Sequence, residues 1–228
     1  MADSAKEEEY QMMNKIIEEN KESLPPFYFV PGNHDFSTGN FDQDLALFEK
    51  YTGSKGNYND FWINGYHYIY LGSDCSGPND ATISEKQLAW FETTLKEKYV
   101  KGKLIFVMIH QPLKDTVSGS IGDQGWNGVI PDASVRAIVD KYPEIVMFNG
   151  HTHWEMESKQ NAFFDKASFF NTSAVGYLWT DDDVYRKGSQ GYFIDVYKDK
   201  LVVKGRDFEA KAWIPAAQYV VPLGKKCK

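Results

Sequence analysis

Apolar residues recur at helical spacing near the start of the chain, over Tyr10–Ile17. Ser4 followed by Glu7 resembles a capping box, the pattern in which two side chains satisfy the free N–H groups of a helix start. We therefore predict a helix over Ser4–Lys21, which ends before the adjacent prolines Pro25 and Pro26 because proline cannot continue a helix.

The same periodicities divide the rest of the chain into helices and strands. The further predicted helices are Asp42–Tyr51, Ser84–Tyr99 and Asp132–Lys141, with Ser84 and Gln87 as a second capping box. The predicted strands are Phe27–Val30, Phe61–Leu71, Leu104–Ile109, Glu144–Phe148, Ser168–Asn171, Tyr192–Tyr197 and Leu201–Phe208, with Gln218–Pro222 as a closing edge strand. Helices and strands alternate first and strands dominate later, which predicts an α/β layered sandwich flanked by helices, formed as a single domain over residues 1–228.

Composition agrees with a globular protein of that size. The chain has 228 residues, of which 42% are hydrophobic and 25% charged, so it can bury a substantial core. Its longest clean apolar run, Leu104–Ile109, is far too short to cross a membrane. The net charge of −7 argues against general binding of nucleic acid. Cys75 and Cys227 form neither a metal-ligand spacing nor a disulfide framework, and they leave the compartment open.

Three predicted strands lead into polar, metal-competent residues at their carboxyl ends. These segments are Gly32-Asn33-His34-Asp35 after the first strand, His110 after Leu104–Ile109, and Gly150-His151-Thr152-His153 after Glu144–Phe148. Four of the five histidines lie in them, and the carboxyl edge of an open α/β sheet is where ligands bind. Imidazole suits Zn, Fe, Mn and Ni, and the amide oxygen of Asn33 adds a neutral hard ligand. Mixed nitrogen and oxygen ligation favours a hydrolytic metal site over a structural zinc site.

In these segments the sequence resembles the calcineurin-like metallophosphoesterases, a family that includes purple acid phosphatases and cyclic-nucleotide phosphodiesterases. The family pattern is D-x-H, G-D-x-x-D, G-N-H-D/E, a lone His and G-H-x-H. Its last three motifs occur here in order as Gly32–Asp35, His110 and Gly150–His153. The resemblance covers nearly the whole chain and implies a metallophosphoesterase-type β-sandwich flanked by helices.

The resemblance also implies a role for each motif residue. The implied metal ligands are Asn33, His110 and His151 for one ion and His153 for the other. His34 would neutralise the substrate phosphate or protonate the leaving oxygen, and Asp35 would orient His34 through a hydrogen bond. The implied reaction is hydrolysis of a small phosphomonoester or phosphodiester by a metal-bound hydroxide, with two divalent ions (Mn, Fe or Zn) in the complete domain.

The first two motifs of the family pattern do not occur in this sequence. The chain begins Met1-Ala2-Asp3, so an upstream Gly-Asp would complete G-D-x-x-D with Asp3 as its last residue. We hypothesise that Met1 is an internal methionine and that the domain is incomplete at its N-terminus, lacking the first strands. His153 alone cannot hold a second ion, and two cations without a bridging carboxylate would repel each other. We therefore expect at most one metal in this chain and impaired catalysis.

A second hypothesis, from a different class, is a non-catalytic remnant that binds at most one metal or serves as an interaction module. A zinc peptidase is disfavoured because no H-E-x-x-H segment occurs. The long loop Lys114–Pro131 follows His110 directly, and such loops often shape a substrate pocket. We predict that Trp126 in this loop and Trp154 flank that pocket. His67 is interpreted as an ordinary strand residue, and the sequence leaves the oligomeric state open.

Overall fold

The computed structural model describes residues 3–77, 79–126 and 128–223. The helices are α1 (Glu7–Asn20), α2 (Phe41–Thr52), α3 (Glu85–Lys98) and α4 (Asp132–Val139), with short 3₁₀ turns at Asn33–Phe36 and Gly122–Gln124. The strands are β1 (Asn59–Ile63), β2 (Tyr66–Tyr70), β3 (Ala81–Thr82), β4 (Ile105–Met108), β5 (Val129–Ile130), β6 (Ile145–Asn149), β7 (Ala162–Phe164), β8 (Ser168–Asn171), β9 (Tyr177–Trp179), β10 (Tyr185–Lys187), β11 (Gln190–Val196), β12 (Lys200–Asp207) and β13 (Ala212–Pro222). None of the described helices has the length and apolar character needed to span a membrane.

The central sheet is mixed and has the strand order β1-β2-β4-β6-β8-β7. Its inner strands β2, β4, β6 and β8 run parallel, and the outer strands β1 and β7 pair antiparallel to their neighbours. Strands β11, β12 and β13 form a second, antiparallel sheet. The predicted α/β class is confirmed.

The two faces of the central sheet bury different partners because side chains alternate along each strand. On β4, Ile105 and Val107 pack with residues of α3 and α4, among them Phe91 and Val135. Phe106, between them, joins a cluster on the opposite face. That cluster also contains Val146, Phe148 and Phe170 of the central sheet and Leu201 and Val203 of β12. The protein is therefore layered as helices, central sheet and second sheet.

The segment predicted as one strand, Phe61–Leu71, contains a hairpin. Strands β1 and β2 pair antiparallel from Asn59 opposite Tyr70 to Ile63 opposite Tyr66. The turn is made by Asn64 and Gly65, which have φ angles of 51° and 78°. An Asn-Gly pair flanked by apolar residues favours a two-residue hairpin turn, because both central positions need positive φ. The prediction of a single strand was wrong.

The predicted buried strand Phe27–Val30 belongs to none of the sheets formed by the described residues. Its side chains are not buried either, since Phe27 is 45% and Tyr28 50% exposed. The ring of Tyr28 stacks on Phe61 of β1 with 4.9 Å between centroids. A strand is maintained by hydrogen bonds from a neighbouring strand, and no described strand provides them here. The prediction of a buried strand was therefore wrong, although the segment still leads into the first motif.

The two predicted capping boxes have different outcomes. Helix α1 begins at Glu7, and the Glu9 carboxylate accepts hydrogen bonds from the N–H groups of Ser4 and Lys6 at 3.1 and 3.2 Å, so the Ser4–Glu7 pairing was wrong. Helix α3 is capped by Ser84, whose hydroxyl accepts from the Gln87 N–H at 3.2 Å, but the second half of the predicted box was wrong, because the Ser84 N–H donates to the Asp74 carboxylate at 2.9 Å.

Candidate functional site

A cleft of ≈ 580 Å³ opens beyond the carboxyl ends of β4 and β6. The three motif segments all contribute to it. Its described lining comprises Asp3, Val30, Gly32, Asn33, His34, Asp35, Asn79, His110, Gln124, Gly125, Trp126, His151, His153 and Tyr177. The fold thus brings Asn33 of the first motif into the same cleft as His151 and His153 of the last motif.

His110 is placed beside His151 by the pairing of β4 and β6, which continues past both strand ends. The Gly150 N–H donates to the His110 carbonyl at 2.9 Å. The two imidazole rings have centroids 5.2 Å apart and planes at 74°. The His110 ring packs directly over Gly32, where a Cβ atom would lie 2.9 Å from its Cδ2 atom. Glycine is required there because any side chain would displace the His110 ring.

His151 and His153 both have backbone conformations that residues with side chains rarely adopt, with φ of 68° and 57°. Each such residue costs roughly 1–2 kcal/mol, so the turn must be stabilised by its surroundings. The Thr152 N–H donates to the Gly150 carbonyl at 2.8 Å, and the buried amide of Asn171 donates to the Thr152 hydroxyl at 3.1 Å. Strain of this kind concentrates at functional sites.

Three buried atoms of the motif residues have no hydrogen-bond partner among the described residues: Asn33 Oδ1, His151 Nε2 and His153 Nδ1. An unpaired buried polar atom costs about 1–3 kcal/mol, so three in one cleft call for a ligand. Amide oxygen and imidazole nitrogen together suit a divalent transition-metal ion. Among the described residues, no three His, Cys, Asp or Glu side chains come close enough to hold a cation by themselves. Asn33, His110, His151 and His153 thus bring one amide oxygen and imidazole nitrogens to the same cleft, a mixture of donors that is compatible with a divalent ion.

Burial keeps the imidazoles neutral. Burial, followed by the proximity of His151, holds the pKa of His110 well below its usual value. Burial also lowers the pKa of His151 to about 4 and lowers the pKa of His153. Neutral imidazole is the form that binds metal, so these rings offer their lone pairs at neutral pH.

The depressed pKa of His151 predicts acid-labile folding of the metal-free protein. Between its ordinary pKa of 6.5 and the folded value of about 4, the unfolded chain binds a proton that the folded chain does not, so stability falls as pH falls. We expect His151 to account for a loss of about 2 kcal/mol in the free energy of unfolding from pH 7 to pH 5, measured by urea denaturation. Asparagine tolerates positive φ and does not titrate, so His151→Asn should lose less. Equal losses in both proteins would contradict this prediction.

His34 and Asp35 do not bond to each other in the way that the family resemblance implies. Asp35 is buried, and its carboxylate accepts from the Tyr10 hydroxyl at 2.6 Å and from the Gly32 N–H at 2.8 Å. It reaches back to Gly32 because it occupies the third position of the 3₁₀ turn, as a capping residue does. His34 is held instead by the Asp3 carbonyl, 2.7 Å from its Nδ1 atom. The expected orienting role of Asp35 is corrected to stabilising the Gly32 turn.

The two tryptophans predicted at the pocket have different positions. Trp126 lines the cleft, with its ring centroid 5.9 Å from that of His151. Trp154 is 2% exposed and packs behind Trp126 at 5.8 Å, which corrects its predicted place on the pocket surface. Tyr177 contributes to the lining instead, with its ring 4.3 Å from that of His153.

The remaining candidates lie outside the cleft lining. His67 is buried in β2, with its Nε2 atom 2.8 Å from an Asp60 carboxylate oxygen, as an ordinary strand residue would be. Cys75 is partly buried, and Cys227 lies outside the described residues.

Comparison with known proteins provides three findings. A family model described as calcineurin-like phosphoesterase matches residues 4–155. A probable glycerophosphodiester phosphodiesterase, GpdQ, from Arcobacter nitrofigilis is 30% identical over 117 residues, which are 50% of this chain and 40% of that protein, so well under two thirds of the relative is matched. Vacuolar protein sorting 29 from Cryptosporidium parvum superposes with a TM-score of 0.40 and 13% identity, over 92% of this chain and 76% of that one.

Proposed function

We propose a function for this chain on the basis of its family, because the chain belongs to the calcineurin-like phosphoesterase family. The proposed function is hydrolysis of a small phosphoester, either a diester or a monoester, that depends on a divalent metal ion. The GpdQ relative is by its name a probable phosphodiesterase, and the match includes half of this chain. That likeness supports phosphoester chemistry but does not identify the substrate.

The observation that carries the proposal is the set of unpartnered buried atoms at the cleft, Asn33 Oδ1 and His151 Nε2 among them. With His110, these residues would hold one divalent ion, and their low-pKa imidazoles would be neutral ligands. A bound ion supplies Lewis-acid polarisation of a phosphoryl oxygen. We propose one ion for this chain, because His153 alone among the remaining motif residues offers a further unpartnered nitrogen.

His34 is the residue proposed to transfer a proton. The Asp3 carbonyl accepts from its Nδ1–H at 2.7 Å, which leaves Nε2 for substrate, and the ring must carry a proton on both nitrogens to give one from Nε2 to the leaving oxygen. Its side chain is exposed and lines the cleft, so it can reach a leaving oxygen. Trp126 and Tyr177 line the cleft and would offer ring surface to the ester group of the substrate.

The alternative function is non-catalytic binding of one ion, or service as an interaction module. It is favoured by the lack of a three-residue cluster of His, Cys, Asp or Glu among the described residues. Two neutral imidazoles and one amide make a weak site, because none of these three ligands carries a negative charge that would offset the charge of the cation.

Titration of the purified chain with Mn²⁺ or Zn²⁺ by calorimetry tests the proposal. We expect one ion per chain, together with slow hydrolysis of bis(p-nitrophenyl) phosphate or p-nitrophenyl phosphate that EDTA abolishes. Binding of one ion without any turnover would favour the non-catalytic alternative. Absence of metal binding would overturn both the metal-dependent hydrolysis and the non-catalytic binding of one ion.

A further inference from the structure

Asn79 contacts two separate motif segments although it belongs to neither. It lies in the loop between β2 and β3 and lines the cleft. Its side-chain oxygen accepts a hydrogen bond from the Asn33 Nδ2 group at 3.2 Å. Its backbone carbonyl accepts from the side chain of Gln111 at 2.8 Å, and Gln111 is buried immediately after His110. One residue thus connects the loop that presents Asn33 with the segment that presents His110.

The hydrogen bond from Asn33 to Asn79 determines which atom of the Asn33 side-chain amide is left without a partner. The two ends of a side-chain amide have nearly the same shape, but only the oxygen can bind a cation, since the NH₂ group donates. Asn79 engages the NH₂ group, and Asn33 Oδ1 remains buried without a partner among the described residues. The reversed amide would turn two N–H donors toward the ion.

The loop around Asn79 is itself anchored on both sides. The Asp80 carboxylate accepts from the Gly128 N–H at 2.9 Å, and the Ala81 N–H donates to the Gly128 carbonyl at 2.9 Å. These bonds continue into the parallel pairing of β3 with β5. With Gln111 on the other side, they hold the Asn79 backbone in place, which keeps its side-chain oxygen within reach of the Asn33 amide.

We propose that Asn79 is a positioning residue that holds the Asn33 amide with its oxygen available to a divalent ion. The inference rests on the proposed function, because it assigns Asn33 as a metal ligand. Residues that orient a metal ligand typically contribute 10–100-fold to affinity. Asn79→Ala should therefore weaken Zn²⁺ binding about tenfold or more, with little change in thermal stability.

A double-mutant cycle with Zn²⁺ calorimetry tests the proposal. If Asn79 acts through Asn33, the variant Asn33→Ala/Asn79→Ala should bind Zn²⁺ as Asn33→Ala does. Asn79→Asp, which can only accept, should retain at least the wild-type affinity. An equal loss from Asn79→Ala with and without Asn33 would show a general structural role and overturn the proposal.

A metal-free measurement separates this inference from the proposed function. The side-chain NH₂ resonances of Asn33 in a ¹H–¹⁵N spectrum should shift in Asn79→Ala and remain hydrogen-bonded in Asn79→Asp. Unchanged resonances in Asn79→Ala would overturn the inference even if the wild type binds Zn²⁺. Shifted resonances in a chain that binds no Zn²⁺ would support the contact while overturning the metal-dependent function.

Discussion

Alanine in place of His110 is expected to remove most divalent-ion binding, whereas alanine in place of His34 is expected to leave it intact. His110 lies beside His151 in the cleft with a neutral, metal-competent ring, so its loss removes one of three proposed ligands of a single ion. We expect affinity for Zn²⁺ to fall by more than about 100-fold, since removing a ligand costs more than removing a group that orients one.

The effect of His34→Ala should appear in turnover instead. General acid catalysis contributes about 10²–10⁴-fold, and the side chain of His34 is exposed, with its Nδ1 held by the Asp3 carbonyl. Three quantities should be measured on the same preparations: metal content by mass spectrometry, Zn²⁺ affinity by calorimetry, and the rate of diester hydrolysis. His67→Gln is a matched control, because that imidazole lies in β2 away from the cleft lining and should leave affinity unchanged. Equal loss of metal in His110→Ala and His34→Ala would overturn the two roles.

The inner strands were predictable from sequence because their apolar runs are short, continuous and bounded by polar residues. The runs predicted at Leu104–Ile109 and Glu144–Phe148 correspond to β4 and β6, and Ser168–Asn171 was predicted with the bounds of β8. Strands buried on both faces have this unbroken pattern. By contrast, β9 and β10 are three residues long and were missed, since such short strands provide no periodicity to detect.

The hairpin of β1 and β2 could have been predicted, because the Asn64-Gly65 signal is local. The segment Phe27–Val30 could not have been predicted correctly from pattern alone. Its composition is that of a strand, yet strand formation depends on a neighbour distant in sequence, which the pattern of a segment does not reveal.

The residues of the candidate site also divide into those that the sequence could predict and those that it could not. The motif residues are close in sequence within each segment, and His110 and Gly150–His153 follow strands β4 and β6, so spacing alone selects them as candidates. Tyr10 contacts Asp35 from 25 positions away, and Asn79 contacts Asn33 from 46 positions away. Tyr10 appears in the sequence only as an apolar position of a helix. Contacts of this kind follow from tertiary packing, which determines the surroundings of a ligand without leaving a local signal.

Gly119→Ala is expected both to destabilise the protein and to disturb the proposed metal site. Gly119 lies in the loop between β4 and β5, has φ of +89°, and packs against Thr152. A Cβ atom at this position would lie 2.4 Å from the Thr152 Cβ, far inside contact distance. Thr152 cannot easily move, because it is fully buried and lies between His151 and His153 in a turn that is already strained.

Steric overlap in a packed interior costs about 1–3 kcal/mol, and a side chain at positive φ adds about 1–2 kcal/mol. We therefore expect Gly119→Ala to lose about 3 kcal/mol in urea unfolding and to bind Zn²⁺ more weakly, because displacement of Thr152 moves both neighbouring imidazoles. Gly122→Ala is the matched control, since Gly122 lies in the same loop with φ of +49° and has nothing within 4 Å of its added Cβ. It should show only the conformational cost, with unchanged Zn²⁺ affinity. Equal destabilisation of the two variants would contradict this prediction. It would mean that the close packing of Gly119 on Thr152 does not fix the loop between β4 and β5 against the turn His151–His153.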